Sequence, residues 1–258
     1  NYGVGNYGLD QALLRLEREL PALKSEVIIM GVVPETMSRI HSYWKHYFEY
    51  GNVLAFKPMF VLGEEGLSVC PSAIKTPENY FAINENIDKI RSLDRFYTEK
   101  FRKDMIRFPH VWHVARTWRR NLPIIYFLVM GWLLPSRESY FRKLAFSIVL
   151  AENSNVTGQL YKEPKSTALL EALIERFRKV CLKHNKTPVL LIMPQKIDIE
   201  RQQSGIDDYG SFFAPGGLDL DVVDMTDAFV KHPSTDELYV EGDLGPHPSS
   251  LANKSIAR

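Results

Sequence analysis

Cysteine is nearly absent from this sequence, with Cys70 and Cys181 the only two in 258 residues. They lie far apart and outside any C-x-x-C or Cys/His ligand spacing, which excludes a disulfide framework and a zinc site and leaves at most one disulfide. An excess of charge is also lacking. Lysine plus arginine number 32 against 31 aspartates and glutamates, so no global field recruits nucleic acid or an anionic membrane, and binding of that kind has to be local. The most apolar run, Pro123 to Pro135, falls short of the ~20 residues that span a bilayer. It reads as a buried helix, and no transmembrane segment is expected. Repeats and low-complexity tracts are missing, which excludes a solenoid or a tail. The sequence opens at Asn1 in what reads as the end of a strand, so the compartment stays open, with the cytoplasm favoured over a periplasmic or secreted setting.

What is present is the composition of a globular protein, 45% hydrophobic and 24% charged, with ample material for a core. One domain spanning 1–258 is expected. After the Gly5-Asn6-Tyr7-Gly8 turn, Leu9, Leu13, Leu14, Leu16 and Leu20 recur at helical spacing, and Pro21 ends that helix. Val27 to Val33 is a nearly unbroken apolar run, as expected of a parallel strand covered on both faces. Pro34 then opens a helix to about Tyr50, with Met37, Ile40, Tyr43, Trp44, Tyr47 and Phe48 as an aromatic core stripe. Two apolar stretches flank Gly63-Glu64-Glu65-Gly66, a hairpin signal.

Residues 77–161 read as helices and loops without a strand, the origin of an inserted cap. Ser166 to His184 returns to an amphipathic helix, Pro188 to Pro194 is a second buried strand, and Leu220 to Met225 a third. Strands alternating with helices at this interval predict an α/β fold with right-handed crossovers and a parallel sheet between helix layers, whose site lies outside the strands' carboxyl ends.

Two segments carry candidate chemistry. In Glu241-Gly242-Asp243-Leu244-Gly245-Pro246-His247-Pro248-Ser249 an acid precedes a histidine by four positions. A carboxylate bonded to one imidazole nitrogen fixes the tautomer and leaves the other nitrogen free to take a proton from a nucleophile. The plain alternative is a surface turn in which Asp243 caps a helix starting at Ser249. At the other end, Gly3-Val4-Gly5-Asn6-Tyr7-Gly8 offers backbone N–H groups to a developing oxyanion. Its spacing is not that of a dinucleotide-binding turn.

Asn-Tyr-Gly-Val-Gly-Asn-Tyr-Gly-Leu-Asp-Gln (1 to 11) resembles the second conserved block of the GDSL/SGNH hydrolases, and Asp243 to His247 with the following Pro-Ser resembles their last block. Val27 to Gly31 and Val189 to Pro194 resemble sheet strands of the same fold, in the right order. The resemblance implies a three-layer, flavodoxin-like α/β/α fold lacking its first strand, with 77–161 as a helical insertion. It further implies hydrolysis or transfer of acyl groups through a serine ester. His247 would be general base, Asp243 its orienting acid, and the Gly5 and Asn6 backbone part of the oxyanion hole. The substrate would be a small-molecule or carbohydrate acyl ester, with no cofactor, no metal and no nucleic acid.

The sequence departs from the family in three ways. No Gly-Asp-Ser block is present, so this chain alone is expected to be inactive. The acid stands four rather than three positions before the histidine, which keeps Glu241 as an alternative orienting acid. The Gly-x-Asn block appears as Gly31-Val32-Val33-Pro34-Glu35-Thr36, with Thr36 as substitute donor.

A rival reading stays open: a binding protein on the same scaffold. Lys89 to Arg120 carries ten lysines and arginines against three acids, interleaved with Phe96, Tyr97, Phe101, Phe108, Trp112 and Trp118. That pattern suits an anionic partner, although such runs are usually solvated helix faces with inward-turned aromatics. A phosphate-using transferase built on the Gly5 turn is a third option. His110 and His113 have one-face ligand spacing without a third ligand cluster. Asn155-Val156-Thr157 is a glycosylation triplet only in a eukaryotic secretory setting.

Overall fold

The computed structural model describes residues 7–242 and 245–257. In chain order its elements are α1 (Leu9–Glu19), β1 (Val27–Val32), α2 (Thr36–Arg39), the hairpin β2 (Met59–Gly63) and β3 (Gly66–Cys70), and then α3 (Pro77–Phe81) and α4 (Ile83–Leu93). A π-helical turn, Tyr97–Phe101, leads to α5 (Arg102–Asp104), α6 (His110–Arg116), α7 (Trp118–Leu133), α8 (Glu138–Leu160) and α9 (Pro164–Lys183). The chain ends with β4 (Thr187–Ile192), α10 (Lys196–Gln203), β5 (Asp221–Asp224), α11 (Thr226–Val230), α12 (Thr235–Leu238), the hairpin β6 (Tyr239–Gly242) and β7 (Gly245–Pro248), and α13 (Ser250–Ile256). The fold is mixed α/β, and residues 77–161 are helical with no strand among them.

A three-stranded parallel sheet of order β1-β4-β5 organises the molecule. β4 is its middle strand and buries alternate residues on opposite faces. Leu190 and Ile192 join the larger core with Ile28, Met30 and Val32 of β1, Leu9 and Leu13 of α1, and Phe177 of α9. Leu191, facing the other way, packs on a second cluster formed by Ile199, Met225, Phe229, Leu238, Tyr239 and Ala252. β1 does not share this second cover. Val27 is 49% and Ile29 62% exposed, so the run expected to be covered on both faces is covered on one, with its outer edge unpaired among the described residues.

Two other expectations are corrected. Instead of a helix to Tyr50, α2 stops at Arg39, because the Asp94 carboxylate accepts the backbone N–H groups of Tyr43 (2.7 Å) and Trp44 (2.8 Å), donors a helix would have used internally. Met37, Ile40, Tyr43, Tyr47 and Phe48 are nonetheless core, so burial is met without the helix. The apolar run after Pro123 is helical but not buried. α7 packs its Phe127 and Gly131 side on α8, while Leu122, Ile125, Tyr126, Leu128, Val129 and Trp132 are exposed.

Candidate functional site at the carboxyl ends of the parallel strands

The loops leaving the three parallel strands are held by tyrosines. Tyr161, at the end of α8, donates to Pro34 O (2.8 Å), just past β1. Tyr239, on β6, donates to Pro194 O (2.7 Å), just past β4. Tyr209 shares a hydrogen bond with Thr226 Oγ1 (3.0 Å), just past β5. Burial is the leading cause that pushes all three phenols upward from the usual tyrosine range, so they act as neutral donors or acceptors. Asp198 sits among them, its carboxylate accepting Gln195 N–H (2.7 Å). Burial pushes its acid up to about 7, opposed by that hydrogen bond and reinforced by the negative charges of Glu35 and Asp208.

The segment following the glycine-rich turn is pinned to the end of β1. Leu9 N–H donates to Thr36 Oγ1 (2.9 Å) and Arg39 Nη1 to Tyr7 O (3.2 Å), while buried Lys57 forms an ion pair with buried Asp10. A side chain at Gly8 would meet Asp10 Oδ1 at 2.6 Å and Arg39 Cβ at 3.1 Å, so the close approach requires glycine. Thr36, the candidate oxyanion donor, is buried with its oxygen engaged by Leu9 N–H. Gly5 and Asn6, with the strand end expected at residues 1–4, lie outside the described residues.

The terminal hairpin is pinned to the end of β4. Besides the Tyr239 bond, Lys196 reaches Glu241 (3.1 Å) and Asp236 (2.7 Å), and Ser249 Oγ donates to Glu237 O (2.7 Å). Ser249 also caps α13, accepting from Leu251 and Ala252 N–H (3.2 and 3.3 Å), which supplies the cap that had been considered for Asp243. His247 pairs with Val240 and is exposed. Its ring lies alongside Gly242, where an added Cβ would meet Cδ2 at 3.4 Å. Because successive strand residues face opposite ways, Glu241 lies on the other face of the hairpin from His247, its carboxylate held by Lys196. Asp243 and Leu244 lie outside the described residues.

Sequence reasoning missed Asp198, the three tyrosines and the Asp10–Lys57 pair. Only Asp198 left a local signal, a carboxylate three residues after the first residue of a helix cap. The others join positions too distant in sequence for any spacing rule. Elsewhere, a cleft of about 380 Å³ between the π-helical turn and α8 is lined by Arg95, Lys100, Asp104 and Glu152 among others. There the basic stretch is largely neutralised: Arg95 pairs with Glu99 and Glu163, buried Lys100 with Asp104, and Arg120 with Asp104 and Glu152. Among the described residues no group of three His, Cys, Asp or Glu side chains is arranged to hold a metal ion.

No family model matches the chain, and neither the curated proteins nor the solved structures match it.

Proposed function

We propose that the chain is the larger part of an acyl-ester hydrolase or acyltransferase of the GDSL/SGNH type. The observation that supports this reading is that the two resembling segments are tethered at one end of the sheet: residues 7–10 to the end of β1, and the hairpin carrying His247 to the end of β4 through Tyr239, with the exposed His247 on the other face of that hairpin. β1 and β4 are paired in parallel, so their ends lie about 5 Å apart. In this reading His247 takes a proton from a serine on an upstream strand, Asp243 fixes the imidazole's tautomer, and the Gly5 and Asn6 N–H groups stabilise the oxyanion. Glu241 is set aside as orienting acid, since Lys196 engages it on the opposite face. The unpaired edge of β1 and the exposed Val27 and Ile29 are where such a strand and a covering helix would pack, completing a three-layer, flavodoxin-like arrangement.

The test is to join an upstream Gly-Asp-Ser segment to this chain and follow hydrolysis of a short-chain aryl ester. The expected result is turnover that falls by several orders of magnitude, roughly 10³-fold or more, in His247→Ala. Turnover that survives this substitution would rule out the assigned base.

A further inference from the structure

From Met105 to Arg137 the sequence contains five arginines, two histidines and no aspartate or glutamate. In the structure α6 packs against α7, and α7 packs on α8. Trp118, Leu122, Ile125, Val129 and Trp132 follow one another at intervals of four and three residues, so they form one stripe along α7. All five are exposed, Trp132 by 79%. The opposite side is already satisfied by α8: Arg120 pairs with Glu152, the Phe127 ring stacks on Phe141, and Gly131 lies so close that an added Cβ would sit 3.5 Å from Phe141 Cβ. Phe108, Val111 and Trp112, just before α7, are exposed by 87%, 84% and 71%. A contiguous apolar surface of this extent is a contact surface rather than scatter.

Charge distribution identifies what it contacts. Arg107, Arg116 and Arg119 are exposed at the Trp112 and Trp118 end, and Arg137 is exposed beyond Trp132, so cations bracket the apolar stripe. Tryptophans at the ends of an apolar face and arginines beside them are the pattern of a helix seated in a lipid headgroup region, the rings at the boundary and the guanidinium groups on phosphates. α7 has 16 residues, roughly 24 Å of helix, and no helix among the described residues is long and apolar enough to cross a membrane. Pairing of the face with a second copy would oppose the two arginine-rich surfaces, with no acid from residues 105–137 to offset them. An oligonucleotide would use the arginines and leave the apolar stripe in water.

We propose that α6 and α7, backed by α8, form a docking element for the surface of an anionic phospholipid bilayer, with the α7 stripe entering the outer acyl region and Arg107, Arg116 and Arg119 engaging lipid phosphates. This element lies on the membrane rather than through it.

The test is flotation of the chain with phosphatidylcholine vesicles, with and without phosphatidylserine, tryptophan emission being recorded alongside. Enrichment on the anionic vesicles with a blue shift of emission is expected. Arg116→Gln and Arg119→Gln should each weaken binding about fivefold and reduce its salt dependence. Leu122→Glu combined with Val129→Glu should weaken it more than roughly tenfold. These positions are exposed, so the fold should survive, as far-ultraviolet circular dichroism would check. Equal recovery on neutral and anionic vesicles, or binding unchanged by both sets of variants, overturns the proposal. So does retention on an oligonucleotide resin without flotation, or a concentration-dependent dimer that Leu122→Glu dissolves without flotation.

Discussion

The buried ion pair of Asp10 and Lys57 shows how one side chain can set the cost of another. Both are almost fully enclosed, and Asp10 also accepts Gln11 N–H at 2.8 Å. Removing one partner strands a charge in the core, so Lys57→Met should destabilise the fold by about 3–5 kcal/mol in denaturant unfolding. The double variant Asp10→Leu/Lys57→Met should regain much of that loss. His41 makes a second residue-level prediction. Burial first, then Arg95, lowers its pKa to about 4, against the opposing pull of Glu163. A histidine held neutral contributes stability above its unfolded value near 6.5 that is lost as pH falls through about 4, a difference of roughly 3 kcal/mol. Asp198 has the opposite sign. Its raised acid, at about 7, favours folding at low pH, and that contribution disappears as pH rises from the unfolded value of about 3.9 through 7. The stability of Asp198→Asn relative to the parent should therefore improve between pH 5 and pH 8, read from thermal melts. A flat difference across that range would show that the carboxyl is not titrating there.

Elements were legible where their own residues decide them. Val27–Val32 and Thr187–Ile192 are strands because nearly continuous apolar runs between helices leave little alternative, Asp221–Asp224 pairs beside them around Val222 and Val223, and the glycine-bounded Glu64-Glu65 turn forms its hairpin. Legibility ended where a distant group intervened. The stretch after Pro34 has the spacing of a long helix, yet a carboxylate some fifty residues away claims the Tyr43 and Trp44 N–H groups. Burial raises that acid to about 6, against those hydrogen bonds. Asp94→Ala should leave the two donors, and Phe96 N–H (2.8 Å), without their acceptor. A loss of about 2–4 kcal/mol is expected in denaturant titration. For α7 the pattern correctly gave a helix and wrongly gave burial, because apolar length says nothing about whether a partner is present to cover it. Of the candidate site, the sequence pointed to the segment around the glycine-rich turn, to the His247 loop and to Thr36, but not to the tyrosine and lysine tethers that hold the strand-end loops.

On the scale of the whole molecule, the sheet has one finished face and one partly finished face. Ile28 is 8% exposed and its neighbour Ile29 62%, so the same substitution should have opposite consequences one residue apart. Ile28→Lys should unfold the chain, while Ile29→Lys should change its stability by only about 0.5 kcal/mol. If an upstream strand and helix close over β1, as the proposed function requires, Ile29→Lys should become strongly destabilising in the longer protein. Insensitivity at Ile29 in both lengths would argue against that closure.

α8 runs unbroken for 23 residues, roughly 35 Å, from beside the C-terminal end of α7 to Tyr161, whose hydroxyl grips the first residues beyond β1. Such a strut fixes a stand-off distance. α7 lies along the rod from Glu138 to Glu152 and the strand-end loops sit at its far end, so the face that α7 exposes and those loops keep a constant separation and bearing.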